Sequence, residues 1–203
     1  MKIAAKFISL ILHPLLVCVY MAFYVIYINP YYFQYSTRLN KFFQLVTVAN
    51  NNFVFPVLVV LLLKGLGFNE SIYLRTQKER IVPYMACIIF FFWTWYVFYN
   101  NIEIPQVLKD AMQGVFYASI AGSIANIYIK ISMHAMGMGG LLGMIVVILF
   151  DGHLYQLWPL ITSVFLTGIV ISSRMVASDH KNGDLLVGLI TGFVAQMVAA
   201  YLV

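Results

Sequence analysis

The stretch Ser173-Arg174-Met175-Val176-Ala177-Ser178-Asp179-His180-Lys181-Asn182-Gly183-Asp184 separates two long apolar runs, roughly Leu157 to Ile171 and Leu185 to Val203. A polar break between two such runs reads as a connection between transmembrane helices. The break carries a guanidinium, an imidazole and a carboxylate, groups that are costly to hold at a membrane boundary and therefore point to function. On a helical turn His180 and Asp184, four apart, share a face. Asp184 can then accept the proton of one ring nitrogen and leave the other able to attack. Arg174 offers a planar fork that suits phosphate oxygens.

Outward from this stretch the chain repeats the same pattern. Further apolar runs cover roughly Phe7 to Ile28, Phe42 to Leu66, Tyr84 to Tyr99 and Met112 to Ile129, and another follows His134 as far as Phe150. Hydrophobic residues make up 63% of the chain and charged ones 9%, against about a quarter charged in a soluble domain. The expectation is an all-α polytopic transmembrane helix bundle of about seven spans, a single integral membrane domain over 1–203 with no room for a separate soluble domain. Lys2 and Lys6 precede the first run, which is too long for a signal peptide and lacks a small-residue cleavage site, so a retained anchor is expected. The net charge of +5 suits anionic lipid surfaces or an anionic substrate. A nucleic-acid partner would need a soluble basic face that this composition excludes. Cys18 and Cys87 lie inside apolar runs and read as small core residues.

The polar interruptions carry the rest of the information. His13, followed by Pro14 in the first run, reads as a helix-interior or interfacial histidine. The Tyr-rich segment from Asn29 to Lys41 reads as an interfacial belt. Asn50, Asn51 and Asn52, close to Pro56, predict a kinked helix whose amides bond to neighbouring helices, or else line a polar cavity. Arg75, Lys78, Glu79 and Arg80 form the densest basic loop, either a solvated loop on headgroups or a phosphate clamp. Met-Gly-Met-Gly-Gly after His134 allows close approach of backbone to a ligand or to another helix. Asp151 and His153 have the spacing of a metal pair, but the span count puts them on the opposite membrane face. By the same count the Arg75 loop, Lys130 to His134 and Arg174 to Asp184 all emerge on one side, where a helix bundle can bring them together.

Ser173, Arg174, His180 and Asp184 follow the spacing Ser-Arg-x5-His-x3-Asp. This resembles the third signature of the type-2 phosphatidic-acid phosphatase superfamily, which includes membrane lipid phosphatases and soluble vanadium haloperoxidases. Ser132 and His134 keep the serine and histidine of that family's second signature, Pro-Ser-Gly-His, but its proline and glycine are absent. The first signature, Lys-x6-Arg-Pro, is not matched: Arg75, Lys78, Arg80 and Pro83 are the right residue types in the wrong register, and Lys130 is the expected substitute for the lysine. The family usually has six spans, so the first run is expected as an addition to a six-helix core.

The resemblance implies an enzyme that hydrolyses a phosphate monoester or diphosphate of an isoprenoid or phosphatidyl lipid, with no metal or cofactor. His180 attacks phosphorus to form a phosphohistidine, Asp184 orients it, and His134 serves the leaving alkoxide and then water. Arg174, Lys130, Ser132, Arg80, Arg75 and Lys78 are the expected phosphate-binding groups. The expected partners are a lipid phosphate substrate and membrane lipids. The expected location is the bacterial inner membrane with the site on the outer face. The same residues would also serve a lipid phosphotransferase, and a transporter or a non-enzymatic membrane protein could retain the motif. Against a transporter, the polar residues gather at one face and form no path across the bilayer.

Overall fold

The computed structural model describes residues 2–68, 76–153, 156–177 and 181–202, and all regular structure among them is helical. The helices are α1 (Lys2–Ile11), α2 (Pro14–Phe23), α3 (Arg38–Ala49), α4 (Phe55–Gly65), α5 (Ile81–Tyr99), α6 (Gln106–Tyr128), α7 (Met133–Phe150), α8 (Trp158–Ala177) and α9 (Asn182–Tyr201). Five spans are long and apolar enough to cross a membrane, one of them α3 and α4 together, and the count rises to six if α1 and α2 form one bent span. The chain is therefore an integral membrane helical bundle.

The first apolar run departs from the expectation of a single helix. It breaks between α1 and α2 with a bend of 48°. The cause is local. Proline disfavours helical backbone in the residue before it, and His13 is extended, with φ −66 and ψ 138. Pro14 then opens α2, where its missing N–H costs nothing. His13 Nδ1 accepts a long hydrogen bond from the Leu15 N–H at 3.4 Å, so the histidine caps the new helix. A π turn over Tyr24–Ile28 continues α2.

Between α3 and α4, Asn50–Val54 form a second π turn just before Pro56. A widened turn at this point accommodates a proline that cannot join the hydrogen-bond ladder. Asn52 is fully buried, and its Oδ1 accepts from Thr94 Oγ1 on α5 at 2.7 Å. Of the two readings of the asparagine run, this amide follows the one in which it bonds to a neighbouring helix.

The fourth apolar run becomes α6, which at 23 residues is about 34 Å long but falls outside the set of apolar spans. The reason is its central position. Gln113, Ser119 and Asn126 are buried within the bundle, so polar residues lower its hydropathy without facing lipid. α7 is also central: 56% of its apolar window is buried, against 22% for α8.

α7 and α9 run parallel and touch backbone to backbone. A Cβ on Gly192 would collide with the Met136 carbonyl oxygen, one on Gly139 with the Leu189 carbonyl oxygen, and one on Gly188 would lie 2.6 Å from the Ser132 carbonyl oxygen. The glycines that follow His134 therefore serve approach to another helix. Gln196 on α9 extends the contact to α6, its Nε2 donating to the Ala111 carbonyl at 3.1 Å.

Because Gly192 meets main chain that has no rotamer to yield, Gly192→Ala is expected to cost roughly 3 kcal/mol, the upper part of the range for overpacking. Gly168→Ala, whose Cβ would meet nothing within 4 Å, should leave the protein at least as stable as the native chain. Thermal denaturation of the two variants in detergent compares them directly.

Candidate functional site

One end of the bundle gathers the segments that the sequence singled out. The 3-10 turn Lys78–Arg80 leads into α5, the connection 129–132 leads into α7, and Lys181 leads into α9. The end of α8 and the break between α1 and α2 lie at the same level. Hydrogen bonds tie these pieces together. Gln77 Nε2 donates to the Asn126 carbonyl at 2.8 Å, and Asn126 Nδ2 donates back to the Gln77 carbonyl at 3.0 Å. Arg80 Nη1 donates to the Ile131 carbonyl at 3.1 Å. The Ser132 N–H donates to the Asp184 carbonyl at 3.2 Å.

The charges concentrate here too. Arg80 is buried at 7% exposure, while Lys78, two residues earlier on the same turn, is exposed. The turn therefore directs the arginine inward and the lysine outward. Arg174, in the last turn of α8, lies close enough to Arg80 for the two guanidinium charges to act on each other. The Asp184 and Glu79 carboxylates act on Arg80 as well. Lys130 lies half-buried in the 129–132 connection. The N-terminal ends of α7 and α9 face the same region, and the exposed N–H groups there add positive potential.

His134 is the second residue of α7, and its Nε2 lies 3.0 Å from the Ser9 carbonyl oxygen of α1. A carbonyl only accepts, so Nε2 carries the hydrogen. Proton exchange by this ring then falls to Nδ1. The His134 ring also packs edge-on against His13, with centroids 5.3 Å apart and planes at 80°. The charge of Arg174 falls on His13 as well.

Several expectations meet the structure differently. Arg75 and His180 lie outside the described residues. Asp184 belongs to α9, but Lys181 at the helix N-cap is extended, with φ −78 and ψ 158. The shared helical face expected for His180 and Asp184 falls on a residue outside the described ones. One Asp184 oxygen, Oδ2, accepts from the Lys181 N–H at 3.0 Å and closes the first turn of α9. Ser132 is fully buried and caps α7, its Oγ accepting from the Ala135 N–H at 3.4 Å.

Three residues at this end were not among the expected site residues. His13, expected as a helix-interior or interfacial histidine, stands at the elbow against His134. The signal was present in Pro14, which forces a break at the residue before it. Tyr84, one turn after Arg80, shares its face. Its hydroxyl is buried and has no hydrogen-bond partner among the described residues. The Ser9 hydroxyl on α1 is in the same condition. Nothing in the local sequence distinguishes Ser9, because its place depends on how α1 leans on α8.

A cavity lies at the other end of the bundle. It holds about 700 Å³ and is lined in part by Tyr31, Tyr32, Glu103, Asp110, Asp151 and His153. The carboxylates on its wall make it a poor host for an anion. The His153 ring stacks on Tyr31 with centroids 3.6 Å apart, in keeping with an interfacial belt. Comparison with family models, curated proteins and solved structures returns no match for this chain.

The burial contrast predicts a functional contrast. For an anion such as inorganic phosphate binding at this end, Arg80→Met is expected to weaken the binding by about tenfold to a hundredfold, the scale of one charged hydrogen bond. Lys78→Ala should change it by less than about twofold. Isothermal titration of the purified protein in detergent reads both.

Proposed function

We propose that the chain is an integral membrane lipid phosphatase whose site lies at the end of the bundle where α7 and α9 begin. The observation that carries this is a chain of neighbours at one end of the bundle: the Arg80 and Arg174 charges act on each other, the Arg174 charge reaches His13, and the His13 ring packs against His134. There is repulsion between two guanidinium charges that act on each other, and the carboxylates of Asp184 and Glu79 act against it at Arg80. A phosphate group offsets it further and matches both planar forks.

In this reading His180 forms the N–P bond as the P–O bond to the lipid breaks. His134, protonated on both nitrogens, gives its Nδ1 proton to the leaving alkoxide while Nε2–H stays on the Ser9 carbonyl. In the second step Nδ1 takes a proton from water, the water oxygen bonds to phosphorus, and the N–P bond breaks. Arg80 and Arg174 hold the non-bridging oxygens and neutralise charge as it develops. Asp184, four residues after His180 in sequence, closes the first turn of α9. The type-2 phosphatidic-acid phosphatase resemblance of Ser173, Arg174, His180 and Asp184 supports the same chemistry.

The lipid character of the substrate draws on two further features. The bundle exterior is apolar along its length. A groove of about 530 Å³ also lies between α6 and α9, lined by Tyr117, Ala121, Ile124, Ile190, Val194 and Val198 among others. Asp184, Thr191 and Val198 are seven apart and follow one face of α9, so the groove leads from the site toward the bilayer interior and suits a hydrocarbon chain. We count α6 as a further span, seven with the bent pair, and place the protein in a bacterial inner membrane with the site on the outer face, following the family resemblance.

Phosphate release from a panel of phosphatidyl and isoprenyl phosphates tests the proposal on the purified chain. His180→Ala and His134→Ala should each lose nearly all turnover, on the order of a thousandfold or more, and Arg80→Ala should lose about ten- to a hundredfold. Acid-labile labelling of the native protein by a radioactive lipid phosphate would mark the phosphohistidine. Full activity in His180→Ala would sink the nucleophile assignment.

A further inference from the structure

The N-terminal helix pair packs onto the site as well as preceding it. The break at His13 places an imidazole 5.3 Å from that of His134, within the field of Arg174. The ring is oriented by the helix that it starts. Its Nδ1 faces the α2 backbone and accepts from the Leu15 N–H, so in the neutral ring Nε2 carries the hydrogen. Nε2 sits on the opposite edge of the ring, away from the start of α2. One turn earlier α1 brings the Ser9 carbonyl to His134 and buries the Ser9 hydroxyl without a partner among the described residues. A buried hydroxyl next to His134 and a ring N–H in the field of Arg174 are donors suited to an anion.

We propose that His13 is a phosphate-contacting residue, its Nε2–H donating to an oxygen of the phosphate group held by Arg80 and Arg174. The inference rests on the phosphate-site reading above and adds to it: the α1–α2 elbow completes the site that the other helices begin. The helix cap and the phosphate contact use opposite ring nitrogens, so one side chain serves both. The Ser9 hydroxyl, one helical turn away, is the second donor from the elbow.

Two substitutions separate the cap from the contact. The amide of asparagine stands near the position of Nδ1 and caps helices well, but it does not reach as far as Nε2. Glutamine places its amide near Nε2 and is a weaker cap. The full chain in phosphatidylcholine nanodiscs is titrated with inorganic phosphate and, separately, with hexadecyl phosphate. His13→Asn should weaken both ligands by about tenfold with an unchanged melting temperature, and His13→Gln should stay within about threefold of native affinity.

Native affinity in His13→Asn overturns the proposal and leaves the phosphate site intact. Equal losses in both variants also overturn it, because glutamine reaches the Nε2 position and would keep the contact, and a loss in His13→Gln alone overturns it in favour of the cap. A loss confined to hexadecyl phosphate overturns it as well, because the ring would then act on the chain and not on the phosphate. If the native chain binds neither ligand, the phosphate-site reading fails and this inference fails with it.

Discussion

The backbone contact between α7 and α9 is the constraint on which the rest of the molecule depends. Gly139 and Gly143 on one helix and Gly188 and Gly192 on the other remove the side chains that would hold the two axes apart. Within a bilayer there is little hydrophobic drive to press helices together, so close approach and the dispersion it gains matter more. The consequence reaches the end of the bundle. With the helices parallel and in register, the Ser132 N–H meets the Asp184 carbonyl. The start of α7, with His134, and the start of α9, with Asp184, are thereby held side by side.

Electrostatics then explains why the polar groups collect at this end. Two helix N-termini point there and contribute partial positive charge. Arg80 enters from the start of α5, and its side chain is committed to the Ile131 carbonyl, in the connection that leads into α7. Arg174 stands in the last turn of α8, where helix carbonyls favour a cation. Each arginine is individually reasonable where it stands. Only the tertiary fold brings their two charges to act on each other. At the opposite end Glu103, Asp110 and Asp151 line the larger cavity, so the charges on its wall are opposite to those of Arg80 and Arg174.

Much of this is legible without any tertiary contact. The apolar runs mark the helices, and the count of runs places the Arg80 turn, Ser132 with His134, and Arg174 on one side. Prolines mark the breaks, although the one before α2 sits in a run long enough to read as a continuous span. The glycines after His134 signal a close approach without choosing between ligand and helix. What misleads is hydrophobic continuity carried across a boundary: the run from Phe7 to Ile28 reads as one span, but an extended His13 breaks it. Hydropathy likewise undervalues α6, because a central helix can bury Gln113 and Asn126 against protein and so lose the apolar signature of a lipid-facing span.

The sequence by itself determined that the chain is a membrane helical bundle and which side chains stand at its polar end, because hydropathy and helix length are local properties of the chain. Tertiary structure alone decided which of those side chains meet. It turned Arg80 inward and Lys78 outward, set His13 against His134, and closed the Ser9 carbonyl onto a ring nitrogen. Those outcomes depend on how helices remote in sequence lean on one another, and no local pattern encodes the angle of a bend or the partner it selects.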